Sequence, residues 1–570
     1  MIQSIGRFMP LLRKPQTIRV AANALSTVPF NLGPISGVDS KCADPLFVQN
    51  LKVEQVDLTR RMGPKSAHPT VASLRDAFNQ VVEGPIYDRV KNSDATRLVD
   101  LIQQCLPTQF ENAKFVPIST VEAAKSAIKS IAPEASFSVL KADLKVSNGI
   151  MDVINYDKIH LNKIDVTEDH FLIISLPALS VIVASLDYYI PIVAFSKDYG
   201  THVTAGVAVD ALNQIKPASS KDAEPVEEKL SHELNDGVPF MVTTSGMSAI
   251  NIALHLDMFN PRVWVHRPMY ACTDDLFRDF EKNNPGTITQ HNFLNADSIE
   301  HALKDAAQKN KLPSVLFFES SPNPLANGPI DVLRIIQLAT PYKINVIVDH
   351  TFLGGVSKHQ FMSKVPSGSQ EYVRIIHSAT KQLSGGMLNS TMGCLSLKSS
   401  YEQLNVASLR NGFYGNPARS DLDGFSSALD SFRSRIDSIV VNNTMVSNAL
   451  RSFKLVGMPV FSDVSYSGGS AMSLTFNKCL ATPQMVEAIF DDLTLSSSLF
   501  NYAVSLGSIN TVGMVPGLAT HTLLPDDIQE LGGITPYTAR ISVGSSHSEE
   551  DVQQLIIDIK LAISRTLSPN

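Results

Sequence analysis

Residues 344–386 read INVIVDHTFLGGVSKHQFMSKVPSGSQEYVRIIHSATKQLSGG, and the two apolar runs in this stretch decide how the chain folds. INVIVD and YVRIIHS are too short for helices and too apolar for a strand with one wet face, which predicts strands buried on both faces. The first run closes on Asp349, and the second leads into a Ser/Thr/Gly-rich turn carrying Lys381. In an open parallel sheet, ligands bind beyond the carboxyl ends of the strands. An acid and a lysine therefore stand together at a predicted ligand edge. Burial can strip such a lysine of its charge and leave a nucleophilic amine.

The same rhythm extends outward. From Val242 to Leu388, short apolar runs (VWVHR, SVLFFES) alternate with helical segments (SAINIALHLDMF, SIEHALKDAAQKN, DVLRIIQLAT). That alternation predicts a parallel sheet covered by helices. After Ser399 a long helical stretch precedes the strands SAMSLTFN and ARISVG and the helices PQMVEAIFDDL and EEDVQQLIIDIKLAI, which predicts a separate α+β layer. At roughly 150 residues per domain, 570 residues make about three or four domain-sized units. An apolar fraction of 44% is too high for a disordered chain, and a net charge of -7 gives no field that favours nucleic acid. Five scattered cysteines without a CxxC pair predict neither a disulfide scaffold nor a metal site. A cytoplasmic enzyme is the default class. No acidic residue precedes Asp39, while Arg7, Arg13, Lys14 and Arg19 do, a composition that resembles an organelle transit peptide. Pro10 and Pro15 interrupt a continuous amphipathic helix there, so a plain tail stays open as the alternative. The uncharged run Phe171–Leu186 contains Pro177 and is shorter than the roughly 20 residues of a spanning helix. It reads as buried strands, with no membrane segment. KPASSKDAEPVEEKLSHELNDG reads as a polar, charged linker.

A lysine and an acid at one strand edge are the pair that pyridoxal phosphate requires, one for a Schiff base and one for the pyridine nitrogen. Ser378 and Thr380 flank the lysine and offer hydroxyls to a phosphate. Thr244-Ser245-Gly246-Met247 opens a helix directly after a loop, presenting backbone N–H groups to an anion. Each feature has a plainer reading. A strand-end Asp commonly caps a helix, a Lys in such a turn is commonly solvated, and SGM before a helix is commonly only a cap.

Their order resolves the matter, because the chain resembles the pyridoxal-phosphate enzymes of cysteine and methionine metabolism. TTSGMSAI is similar to that family's SGMAA phosphate segment, and RPMYACTDDLF to its LYGGTY segment. FFESSPNPLANGPIDV is similar to ETPSNPxxxxxDI, VIVDHTF to VVDNTF, and HSATKQLSGG to HSxTKYxGGH. AVSLGSINT is similar to SLGGxES, GITPYTARISVG to GxxxxLxRxSVG, and the upstream GPIYDRVKNSDATRLVDLI to YSRxxNPTxxxLE. The resemblance implies an α/β, aspartate aminotransferase-like fold with a mostly parallel central sheet, flanking helices and a smaller C-terminal α+β domain. It implies that Lys381 binds the cofactor and shuttles protons, that Asp349 meets the ring nitrogen, and that Tyr270 stacks on the ring and acts in acid–base steps. Ser378, Thr380, Gly246 and Met247 would hold the phosphate. Tyr87 and Arg89 would reach the phosphate of a neighbouring subunit, which implies a homodimer or homotetramer with shared sites. Arg540 would clamp the carboxylate of a small amino-acid substrate, with Asn323 and Ser505 helping to position it. No metal is implied.

The departures are specific. Asp88 stands where the family has Ser, and His350 follows Asp349 where the family has Asn; a neutral donor suits His350 better than a base. Cys272 reads as a small buried hydrophobe. The expected organisation is a leader and arm over 1–69, a subunit-contacting segment over 70–105 and an inserted domain of unassigned role over 106–235. A cofactor-binding large domain over 236–398 and a small domain over 399–570 follow. A further short expansion, SKHQFMSKVPSGSQE, separates Asp349 from Lys381. An apolar Val504 before Ser505, with Cys272 in YACT, resembles methionine γ-lyases. Elimination of a thiol is the expected reaction, with γ-replacement on an activated homoserine, or a catalytically silent relative, as alternatives.

Overall fold

The computed structural model describes residues 98–567 apart from 155–160, 323–328, 384–391, 503–510, 515–536 and shorter breaks. Tyr87, Arg89, Asn323, Ser505 and the acid-free start lie outside the described residues.

The first layer is a four-stranded sheet ordered β1-β6-β5-β2, from β1 (Lys114–Ile118), β2 (Ser136–Lys141), β5 (His170–Ser175) and β6 (Ser180–Ala184). A hairpin of β3 (Asp143–Ser147) and β4 (Ile150–Ile154) intervenes. The uncharged run from Phe171 thus becomes two antiparallel strands turned around Pro177. Side chains alternate across a strand, and here both faces are covered. Phe171 and Ile173 face one core, Leu172 and Ile174 the other. Among the described residues no helix is long and apolar enough to cross a membrane.

Helix α1 (Val121–Ile131) begins where Thr120 Oγ1 accepts from the Ala123 N–H at 3.1 Å, a side-chain cap. Its buried residues, Ala123, Ala124, Ala127, Ile128 and Ile131, form one stripe. That stripe does not close a private core. Together with Val116, Phe171, Ile173 and Ile182 it packs into one cluster with Met241, Met247, Ile250, Val265 and Phe277 further along the chain. Helices α2 (Leu186–Asp198) and α3 (Ala205–Leu212) complete the layer.

The segment expected to be a linker is helix α4 (Ser220–Leu234). Its charges and Pro225 conceal a helical stripe, Ala223, Val226, Leu230 and Leu234, buried against the main sheet. Within it, Glu227 accepts from the Val242 N–H at 3.1 Å and pairs with buried Arg410 at 3.0 Å, tying the helix to the first strand of that sheet.

The main sheet runs β7-β13-β12-β11-β10-β8-β9, formed by β7 (Phe240–Thr243), β8 (Val263–Val265), β9 (Ile288–Gln290), β10 (Val315–Glu319), β11 (Asn345–Asp349), β12 (Val373–Ser378) and β13 (Gly393–Ser396). Only β13 is antiparallel to its neighbours, so the mostly parallel sheet expected from the sequence is present. Helices α5 (Gly246–Asp257), α6 (Ala271–Asn283), α7 (Ala296–Gln308) and α8 (Val332–Ala339) connect the strands. At the edge opposite the carboxyl ends of β11 and β12, Arg374 is wholly buried and pairs with Asp257 through two contacts, at 2.8 and 2.9 Å. Glu402 and Lys398 close that network at 2.9 and 2.8 Å.

The carboxy-terminal layer follows α9 (Arg419–Asp430) and α10 (Phe432–Arg451). Its sheet is ordered β14-β15-β18-β17-β16, from β14 (Phe461–Ser465), β15 (Met472–Phe476), β16 (Phe500–Tyr502), β17 (Thr511–Met514) and β18 (Thr538–Ser542). Helices α11 (Pro483–Ser496) and α12 (Glu549–Leu567) cover it. Val552, Leu555, Ile559 and Ile563 of α12 are buried there. Each such side chain contributes about 1.5–3 kcal/mol.

Candidate active site

Strand ends at the carboxyl edge of the main sheet bring the site together. After β7, Ser245 caps α5 reciprocally. Its Oγ accepts from the Ser248 N–H at 3.1 Å, and Ser248 Oγ accepts from the Ser245 N–H at 2.8 Å. Gly246 and Met247 occupy the first turn, where backbone N–H groups and the helix dipole favour an anion. Two close approaches shape this corner. A Cβ on Gly246 would stand 3.0 Å from Ser378 Cβ, and one on Gly393 would stand 2.2 Å from the Ser245 carbonyl oxygen. Ser378 is thus adjacent to the helix start, as the sequence implied for a phosphate cradle.

The ends of β11 and β12 are tied by one hydroxyl. Asp349 Oδ1 accepts from Thr351 N at 3.0 Å and Thr351 Oγ1 at 2.6 Å, while Thr351 Oγ1 accepts from Ser378 N at 2.8 Å. Burial pushes the Asp349 carboxyl up, opposed by the Thr351 hydrogen bonds and the nearby Lys381 charge. Lys381 is therefore within electrostatic reach of Asp349, and its N–H donates to Ser378 O at 3.3 Å. Thr380 sits one residue before it and holds Met392: Thr380 N donates to Met392 O at 3.1 Å, and Thr380 Oγ1 accepts from Met392 N at 3.3 Å.

His350 lies beneath this edge. Its Nδ1 is 2.8 Å from Ser320 Oγ, and its ring packs edge-on to Phe361 and 5.6 Å from His377. Burial first, then the neighbouring histidines, hold it well below the ordinary imidazole range, so it is neutral.

Tyr270 stands at the start of α6, 39% exposed, with its N–H donating to the buried Glu319 carboxylate. Cys272 is half-buried rather than fully enclosed, and packs against the apolar cluster that α5 and α6 share. Arg540 is only 4% exposed, in the middle of β18 between Ser473 and Met514. Its guanidinium lies 5.4 Å from the Phe352 ring centroid. Burial pulls its pKa down to about 10, opposed by Glu319, and it stays charged at neutral pH.

Two residues of this site received no role from the sequence. Glu319 closes the apolar strand VLFFE as Asp349 closes NVIVD, so the same strand-end rule could have found it. Gln382 replaces the tyrosine of the family's HSxTKYxGGH, and that departure was its signal. Its amide donates to Thr351 O and Phe352 O, both at 2.9 Å, and to Ser470 Oγ at 2.6 Å. Beside Lys381, it fastens the lysine turn to the small domain.

An anion corner at Gly246 and Ser378, an acid and a lysine in electrostatic contact, and an exposed aromatic ring suit phosphate, pyridine nitrogen, aldehyde and ring face respectively. The residues present fit pyridoxal phosphate.

Comparison with known proteins agrees. Residues 220–564 match the family of Cys/Met metabolism PLP-dependent enzymes. Cystathionine beta-lyase of Lactococcus lactis subsp. cremoris (strain MG1363) is 23% identical over 345 residues, 59% of this chain and 85% of that protein. Cystathionine gamma-synthase of Haemophilus influenzae is 27% identical over 341 residues, 60% of this chain and 84% of that protein. Among solved structures, the cystathionine gamma synthase of Xanthomonas oryzae pv. oryzae in complex with aminoacrylate and cysteine shares the fold. It has a TM-score of 0.50 and 20% identity over 61% of this chain and 86% of that one. The chain belongs to the pyridoxal-phosphate-dependent enzymes of cysteine and methionine metabolism, the carbon–sulfur lyases and transferases of trans-sulfuration.

Proposed function

We propose that this enzyme is a carbon–sulfur lyase that releases a thiol from a sulfur-containing amino acid at Lys381. The observation that carries the reading is that Lys381 lies within electrostatic reach of Asp349 at the sheet edge, with Glu319 in register beside Asp349 on the neighbouring strand. Bound there, pyridoxal phosphate supplies an electron sink for negative charge developing at Cα. Gly246, Met247 and Ser378 hold the phosphate, with Thr380 fixing the turn behind it. Asp349 keeps a proton on the ring nitrogen. Arg540 takes the substrate carboxylate, the planar anion its guanidinium suits. Lys381 Nζ removes the Cα proton and delivers a proton to the departing side, and the Tyr270 phenol serves the acid–base steps. Asn323 and Ser505 help to orient the substrate. Support for elimination comes from Cys272, Val504 and the cystathionine beta-lyases among the relatives. The Haemophilus relative supports γ-replacement as a second reading.

The purified chain is incubated with methionine, with cystathionine, and with an activated homoserine ester plus cysteine. A 2-oxo acid and a thiol from the first two are expected. Reaction of the last pair alone sinks the lyase reading. A protein that stays colourless with pyridoxal phosphate, or a visible band that survives Lys381→Ala, sinks the enzymatic site altogether.

Shared sites in a homodimer or homotetramer belong to the same proposal, with Tyr87 and Arg89 serving a neighbour's phosphate. Mixing the inactive variants Arg89→Ala and Lys381→Ala under subunit exchange should regain activity, since a hybrid holds one complete site. No regain at any mixing ratio rules the shared arrangement out.

A further inference from the structure

Lys381 and Arg540 belong to different layers, and one buried side chain joins the segments that carry them. Gln382, next to Lys381 and 3% exposed, donates from its amide to Thr351 O and Phe352 O at 2.9 Å and to Ser470 Oγ at 2.6 Å. Two N–H bonds thus serve three acceptors, a task beyond the single O–H of the tyrosine that the family carries at this place. The Gln382 backbone is fixed separately, its carbonyl accepting from Arg435 Nη1 of α10 at 2.9 Å.

Each acceptor leads to a residue of the site. Thr351 holds the Asp349 carboxylate and the Ser378 N–H. The Phe352 ring centroid lies 5.4 Å from the Arg540 guanidinium. Ser470, 1% exposed, donates from Oγ to Phe352 O at 3.2 Å, and its own carbonyl accepts from Ser542 Oγ at 2.6 Å. Ser542 lies two residues beyond Arg540 on β18, so both side chains share one face of that strand. The junction is close as well as bonded. A Cβ on Gly469 would stand 2.7 Å from Phe352 O, and Phe352, Leu353 and Ala471 form a small apolar cluster there.

We propose that Gln382 is a positioning residue that sets the separation of Lys381 from Arg540. The inference rests on the assignment of Lys381 to the Cα proton and of Arg540 to the substrate carboxylate. Proton and carboxylate hang on the same substrate carbon. A shift of the small domain against the lysine turn therefore carries the proton away from Lys381 Nζ while the carboxylate stays bound. A misplacement of about 1 Å can cost roughly 100-fold in rate. The carbonyls of Thr351 and Phe352 can only accept, so the tie needs a neutral donor with two N–H bonds, which the glutamine amide supplies.

The test uses the full chain loaded with pyridoxal phosphate. Its substrate is whichever the parent turns over among methionine, cystathionine and an activated homoserine ester with cysteine, carrying hydrogen or deuterium at Cα. Gln382→Leu removes the donors at similar volume, and Ser470→Ala removes the hydroxyl that joins Gln382 to the small domain. Both should keep the visible band and lower kcat roughly 10- to 100-fold with KM little changed. Both should also enlarge the isotope effect on kcat, because removal of the Cα proton becomes the slow step. The double variant should be no slower than the worse single one, since both cut one tie; losses that multiply overturn the proposal. Should Gln382→Leu fail to fold, Ser470→Ala decides alone by kcat and isotope effect. Parent-like kcat and isotope effect, whatever the change in KM or melting temperature, overturn this inference and leave the functional reading standing. A parent chain that takes up no pyridoxal phosphate, or turns over none of the three substrates, overturns both.

Discussion

Arg540 shows how a single residue is prepared for its ligand. It is buried, stacked near Phe352 and held charged against desolvation by Glu319. Arg540→Ala should cost about 2–5 kcal/mol in kcat/KM, expressed mainly as a raised KM. Steady-state kinetics with the best substrate check this, and an unchanged KM removes the carboxylate clamp. At this scale the sequence was legible where chemistry coincides with a strand end. Asp349 and Lys381 could be picked out by residue type and strand-end position, and their order with the other segments gave them weight. Arg540 could not, because an arginine inside a strand looks like any surface residue until the fold buries it; only the resemblance marked it. Glu319 obeyed the strand-end rule yet passed unmarked, since a lone acid there usually caps a helix.

The elements around the site place two neutral histidines under it. His377 is 2% exposed on β12, and burial pulls its pKa down to about 3. The folded value lies below the ordinary value near 6.5, so between roughly pH 6.5 and 3 the unfolded chain binds more protons. Stability should therefore fall as pH drops through that window, most steeply towards its middle. Denaturant melts at pH 7 and pH 5 should show the parent losing more stability on acidification than His377→Leu does. Equal losses would mean that His377 is not held neutral. Strands of this kind were readable because burial on both faces leaves an apolar run that surface elements lack. Helix α4 was not, because its four core residues are spaced at helical intervals among acids and lysines, and Pro225 argues against a helix on local grounds. Tertiary burial of Ala223, Val226, Leu230 and Leu234 overrides that preference.

At the scale of the whole molecule, a buried ion network lies away from the chemistry. Arg374, Asp257, Lys398 and Glu402 form a buried ion network at the far edge of the sheet. Burial opposes ionisation of Asp257, but Arg374 and Lys398 hold its carboxyl below the usual range. Its stabilisation is present above the unfolded carboxyl value and is lost as pH falls through the lower folded value. Removing one member strands the others in low dielectric, so Asp257→Ala should destabilise by about 3–5 kcal/mol. Denaturant unfolding at neutral pH reads this directly, and a loss under about 1 kcal/mol would show that the network relaxes freely. The parallel sheet was readable from the alternation of elements, whereas the four-stranded first layer was not. What stayed illegible was that the first layer has no core of its own on one face, because no local pattern says which surface will cover a stripe.

That borrowed core has a consequence for how the chain is made and cut. Buried residues of α1 and of α5 belong to one apolar cluster, although they stand more than 100 residues apart in sequence. During synthesis that cluster is complete only once the later strands and helices emerge, and chains of this size expose apolar surface in the interval. A gene trimmed to start at residue 220, where the family match begins, should yield aggregated protein even though it encodes every matched segment. Soluble, cofactor-binding protein from that trimmed gene would show that the first layer is dispensable for folding.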